Sequence, residues 1–169
     1  MPSITELLVA ELDREMVGTR RTLERVPEGQ NDWKPHDRSM QLGYLAGMVA
    51  IMPRWIASML TEDQIDLGNP GKYSFRPFDS TAELVRAFDE AVAAARAALA
   101  ATTDERLQKT RWRLLLNGQE LTNETRYEAV RFSALNHLYH HRAQLTTYLR
   151  LNQKPVPSLY GPSADEPLF

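Results

Sequence analysis

Three S/T-x-x-E boxes divide this chain: Ser3-Ile4-Thr5-Glu6, Ser80-Thr81-Ala82-Glu83 and Thr125-Arg126-Tyr127-Glu128. In such a box the hydroxyl accepts one unpaired N–H of the first helical turn and the acid reaches back to another, so each box opens a helix. After the first, Ile4, Leu8, Leu12, Met16 and Leu23 recur at helical spacing, which predicts helix one over residues 4–25, stopped by Pro27-Glu28-Gly29. After the second, Leu84, Phe88, Val92, Ala95 and Leu99 give helix three its apolar stripe within an alanine-rich run. After the third, helix four runs to residue 151, and Pro155-Val156-Pro157 cannot continue it. Helix two, over residues 41–60, has no box. Pro53 inside it removes a backbone hydrogen bond and predicts a kink or a broken turn.

The connections set the topology. Residues 28–39, with Trp33-Lys34-Pro35-His36, read as a loop. Between 104 and 122, Trp112, Leu114 and Leu116 alternate with Arg113 and Leu115 and then meet Asn117-Gly118, which predicts a small β-hairpin before helix four. Residues 61–79 carry Gly68, Pro70, Gly71 and Pro77 and no periodicity. Antiparallel helical neighbours need only about 2–8 connecting residues. This segment, extended, spans about 60 Å, against about 30 Å for a 20-residue helix. Helix three can therefore start at the same end as helix two. The expected fold is all-α: one domain over 1–169, a four-helix bundle in up-down-down-up order, with a long crossover between helices two and three.

Charge and composition narrow the function. Lys and Arg number 20 against 22 Asp and Glu, a formal net charge of −2, so no cationic excess points to nucleic acid. The absence of cysteine excludes disulfides, thiolate metal sites and a catalytic thiol. No apolar run reaches membrane-spanning length, and acids interrupt the first residues where a signal peptide needs an apolar stretch. The expectation is a soluble, cytoplasmic protein with no membrane partner.

Three of the four histidines, His137, His140 and His141, fall within five residues. On helix four, Val130, Ala134, Leu138, Leu145 and Tyr148 mark the inward face, and His137 and His141 fall on that stripe, with His140 nearer the flank. Two histidines at i and i+4 project to one side, a geometry in which both can hold one metal. Leu138 stands where a zincin carries glutamate, so this is not a zincin. A catalytic zinc takes three protein ligands. The competing reading is a pair held by structural hydrogen bonds. His36, beside Trp33 and Pro35, reads as a loop-packing residue, and Met40, Met48, Met52 and Met59 as core fillers.

The segment Leu135-Asn136-His137-Leu138-Tyr139-His140-His141-Arg142-Ala143-Gln144-Leu145, with Tyr148-Leu149-Arg150, resembles the last helix of the DinB-like (DNA-damage-inducible, YfiT-like) family. Trp33-Lys34-Pro35 with Ser39, Leu42-Gly43 and Leu45-Ala46, and the closing Tyr160-Gly161-Pro162-Ser163-Ala164-Asp165-Glu166 add matches in order over nearly the whole chain. The resemblance implies the same bundle, a homodimer, and a divalent metal, nickel or zinc, held by one histidine of helix two and two of helix four. His137 and His141 match the latter pair. The helix-two position, after Leu45-Ala46-Gly47, is Met48, so the third ligand is replaced by a soft, neutral thioether that suits Cu(I) better than nickel or zinc.

Characterised relatives resemble metal-dependent thiol S-transferases and isomerases, in which a Lewis-acidic metal lowers the pKa of a bound thiol or water. Carried over, that function makes His137 and His141 metal ligands and places Tyr44, Met48, Tyr139 and Arg142 in the substrate pocket. The alternative is a metal-free small-molecule-binding or interaction protein that has lost catalysis. Trp55 and Phe88 are candidates for a dimer surface, although residues of this type more often belong to the core.

Overall fold

In the computed structural model, which describes residues 1–69 and 75–167, all three boxes start helices. Ser3 accepts from the Glu6 N–H and Glu6 accepts from the Ser3 N–H at 2.7 Å, opening α1 (Ile4–Leu23). One second helix becomes two, α2 (Leu42–Ile51) and α3 (Pro53–Thr61), bent by 44°. Pro53 heads α3, where its missing N–H costs nothing. Among the described residues no single helix is long and apolar enough to cross a membrane.

The crossover contributes a strand, β1 (Gln64–Asp66), before α4 (Thr81–Ala100) begins. Ser80 caps α4, but its box closes only halfway, because Glu83 accepts instead from the Asp79 N–H. A short α5 (Asp104–Lys109), capped by Thr103, then leads into β2 (Arg111–Leu116) and β3 (Gln119–Thr125). The hairpin turns at Asn117 (φ 52°) and Gly118 (φ 79°), the paired left-handed residues that a tight hairpin needs. Asp66 accepts from the N–H groups of both, at 2.8 and 2.9 Å, and ties β1 to the turn. β1 runs parallel to β2, and β2 antiparallel to β3.

The fold is mostly helical as expected, and the expected hairpin is present; the all-α description is corrected only in that β1 joins it, among the described residues, to make a three-stranded mixed sheet. A register shift between Leu114 and Leu115 buries Leu115 and exposes Leu116, breaking the alternation read from Trp112, Leu114 and Leu116.

Helix four starts as α6 (Arg126–Glu128) on the Thr125 box, widens into a π-helical segment (Ala129–Asn136) and continues as α7 (His137–Leu151). Arg126 is buried; its guanidinium donates to the Met59 and Glu62 carbonyls and to Asp63 at 2.6 Å, fixing the end of α3 to the start of helix four. The ion pairs Asp13–Arg96 and Arg20–Asp89 run in opposite order along α1 and α4, which are antiparallel. Contacts from Glu11 to Tyr139 and from Glu15 to Arg142 advance together, so α1 and α7 are parallel.

Leu12, Leu45, Met52, Met59, Phe88 and Trp112 are all fully buried, each such side chain stabilising the fold by about 1.5–3 kcal/mol. Phe88 is thus core, not surface. Trp55 is half-buried and stacks on Phe75 with ring centroids 6.1 Å apart. Beyond α7 the chain folds back as a strap. Glu166 accepts from Arg21 and Arg25, and Asp165 pairs with Arg150 at 2.5 Å. Pro70 and Gly71 of the crossover, and Leu168-Phe169, lie outside the described residues.

Candidate functional site: a histidine pair on helix four

His137 opens α7 directly after the π-helical segment, and His141 follows one turn later. Their Nε2 atoms stand 2.8 Å apart, with ring centroids at 4.5 Å. His141 Nδ1 lies 2.8 Å from the Gln144 side-chain oxygen. Facing an acceptor, that Nδ1 is the donor, and the Nε2 of the neutral ring carries a lone pair. His137 hydrogen-bonds to the Ser133 backbone in the sense that favours its protonated form, the mark of a carbonyl taking the ring N–H. Both Nε2 lone pairs thus converge on one point.

Such a pair either shares a proton or accepts a cation between its nitrogens. For metal–nitrogen bonds of about 2.0–2.1 Å, a right angle at the metal separates two nitrogens by about 2.9 Å and a tetrahedral angle by about 3.3 Å. The observed spacing is closer to the right-angled case. Ring N–H groups anchored on carbonyl acceptors are also the usual outer shell of metal-bound histidines.

Both imidazoles are held below the ordinary histidine pKa. For His137, withdrawal of the ring from water comes first, then His141 and His140, opposed by the Ser133 hydrogen bond. For His141, burial comes first; Gln144 opposes it and His140 adds to it.

The inward stripe expected for helix four holds for Val130, Ala134, Leu138, His141, Leu145 and Tyr148, all buried. It does not hold for His137, which is exposed while His141 is only 5% exposed. The i→i+5 turns of the π-helical segment add backbone per turn and re-phase everything after them. His140 is exposed on the flank and meets His141 edge-on at 5.0 Å. His36 stays in its loop, where its Nδ1 accepts from the Arg38 N–H.

The four candidate pocket residues are divided by the fold. Tyr44 and Met48 lie on α2, Tyr44 edge-on to Phe75 at 6.1 Å and Met48 buried in the core. Tyr139 and Arg142 face α1 instead. Tyr139 donates to Glu11 at 3.1 Å, and burial, reinforced by Glu11 and Glu15, pushes its phenol up. Arg142 donates to the Glu15 carboxylate at 2.9 Å and to the Glu15 carbonyl and Thr19 hydroxyl at 3.0 Å.

Sequence reasoning missed Gln144 and Glu15. The signal for Gln144 was its i+3 spacing from His141, which places both on one helical face. For Glu15 it was an acid inside the buried stripe of Leu8, Leu12 and Met16. Among the described residues no group of three His, Cys, Asp or Glu converges to hold a metal. Residues 70–74 and 168–169 contain none of these residue types.

A family model described as "DinB family" matches residues 1–167. Among solved structures, a DinB-like protein from Bacillus cereus ATCC 10987 superposes with a TM-score of 0.71 at 19% identity, covering 94% of this chain and 98% of that one. A DinB-like protein from Bacillus subtilis gives 0.67 at 18% identity, with coverage of 90% and 97%. No curated protein matches.

Proposed function

The chain belongs to the DinB family, and from that membership we propose that it is a small-molecule-binding bundle protein that keeps two imidazoles of a metal-dependent thiol S-transferase centre without the third ligand. The observation that carries this reading is the 2.8 Å approach of His137 Nε2 and His141 Nε2 in the absence, among the described residues, of a third strong donor beside them. Two nitrogens do not make the three-ligand set of a catalytic zinc centre. Met48, at the position of the missing histidine, is 6% exposed and offers a thioether, a poor donor for nickel or zinc. The residues present therefore do not fit a tightly held resident metal of the family type. They fit a pair of imidazoles anchored through their outer nitrogens at the start of α7.

Elemental analysis of protein purified without chelator or a nickel column tests this. The expected result is substoichiometric metal, with no rise in melting temperature on adding Zn²⁺ or Ni²⁺. Micromolar affinity with a clear melting shift would overturn it. The second reading, a working metal-dependent S-transferase, is favoured by the occupied outer nitrogens of both rings. It requires stoichiometric metal, so the same measurement decides between the two.

The four long helical bodies are read in up-down-down-up order. The antiparallel α1–α4 ion pairs, the parallel α1–α7 contacts and the junction of α3 with the start of helix four support that order. A homodimer is part of the same reading, and analytical ultracentrifugation tests it.

A further inference from the structure

The strap after α7 does not lie flat on α1. Between them is a cavity of about 490 Å³, within the 300–1,000 Å³ typical of small-molecule sites. It lies on the α1 side of α7 and is lined by neither histidine of the pair. Its floor is Arg142, 2% exposed, locked by Glu15 and by the Tyr160 hydroxyl at 2.5 Å. Leu159 and the Tyr160 side chain belong to its wall, and Leu159 sits so close to α1 that a Cβ at Gly18 would meet it at 2.8 Å.

The mouth is cationic. Arg21 donates to the Ser158 carbonyl and to Glu166. Arg14, 77% exposed, makes among the described residues only a 3.6 Å ion pair with Glu15. Three of the lining residues are arginines and one, Glu15, is an acid; Glu166, outside the lining, pairs with both Arg21 and Arg25, so the net charge at the cavity stays positive. The planar fork of Arg14 matches a carboxylate, and the apolar wall suits a hydrocarbon or aromatic body.

We propose that this cavity is a ligand site, separate from the histidine pair, that takes a small monocarboxylate with an apolar body. Arg14 receives the carboxylate at the mouth, while Leu159 and Tyr160 cover the body.

Isothermal titration calorimetry on the full chain, with phenylacetate as probe and benzylamine and benzyl alcohol as matched controls, tests it. Saturable binding of phenylacetate is expected, with both controls weaker. Arg14→Glu, which reverses the charge at the mouth, and Val17→Trp, which fills the cavity from an exposed position on α1, should each weaken it by about tenfold or more. The double variant His137→Ala/His141→Ala should bind phenylacetate as the parent does. Loss of binding in that double variant, absence of saturation, equal binding of either control, or indifference to both Arg14→Glu and Val17→Trp would each overturn the inference. None of these results bears on the metal analysis.

Discussion

Glu15 of the first helix and Arg142 of the last form an ion pair of 2.9 Å with only 6% and 3% of their side chains exposed. Burial raises the Glu15 carboxyl, but hydrogen bonds from Tyr160 and Arg142 outweigh it and hold the group ionised. Removing one partner strands the other charge in the interior, so Arg142→Met should cost about 3–5 kcal/mol in urea unfolding. The double replacement Glu15→Leu/Arg142→Met should recover most of that loss. If the double variant is as unstable as the single one, the cost lies in packing and not in the stranded carboxylate.

Met48→His adds an imidazole at the helix-two position that the proposed function assigns to the missing third ligand. Ni²⁺ or Zn²⁺ affinity should rise by at least about tenfold, with a metal-dependent increase in melting temperature. Calorimetric titration of parent and variant gives the measurement. No gain would mean that the residue-48 side chain does not reach the 2.8 Å pair of His137 and His141.

The histidine pair sets a pH dependence of stability. Both imidazoles have pKa values below the ordinary one in the folded chain, so as pH falls through about 6.5 the unfolded chain takes up protons first. Stability should be fully present above that pH and decline below it, through the lower folded values. Urea midpoints measured from pH 7.5 to 5 should show this slope, and His137→Gln/His141→Gln should flatten it. Parallel curves for parent and variant would remove the pair from the account.

Acid should also release the strap, in a lower window. Glu166 is held below the usual carboxylate range by Arg25 and by the Ser158 N–H, so its contribution is present above about pH 4.3 and lost as pH falls through its lower folded value. Glu166→Gln should loosen the strap already at pH 7. Amide exchange around Ser158 should rise by about tenfold or more in the variant, and unchanged protection would show that Asp165 and Tyr160 suffice.

Helix starts and stops were legible from the sequence because each depends on groups a few residues apart: Ser3 with Glu6, Thr125 with Glu128, Pro53 with the turn it interrupts, and Asn117 with Gly118 at the hairpin. The i, i+4 spacing of His137 and His141 was local in the same way, and their nitrogens do meet. Which residue of the pair faces the core was not legible, because a π-helical segment upstream changed the phase that the spacing argument had assumed constant.

By itself, then, the chain determined its helical segments, its hairpin turn and the closeness of two imidazoles, all settled by contacts within one or two turns. Only the tertiary structure decided the rest. β1 pairs with β2 across Gln64 and Arg113, Tyr139 and Arg142 turn to Glu11 and Glu15, and the strap closes over α1 through Glu166 and Arg21. Each of these joins residues about 50 to 145 positions apart, whose meeting depends on how whole helices pack and not on any local preference.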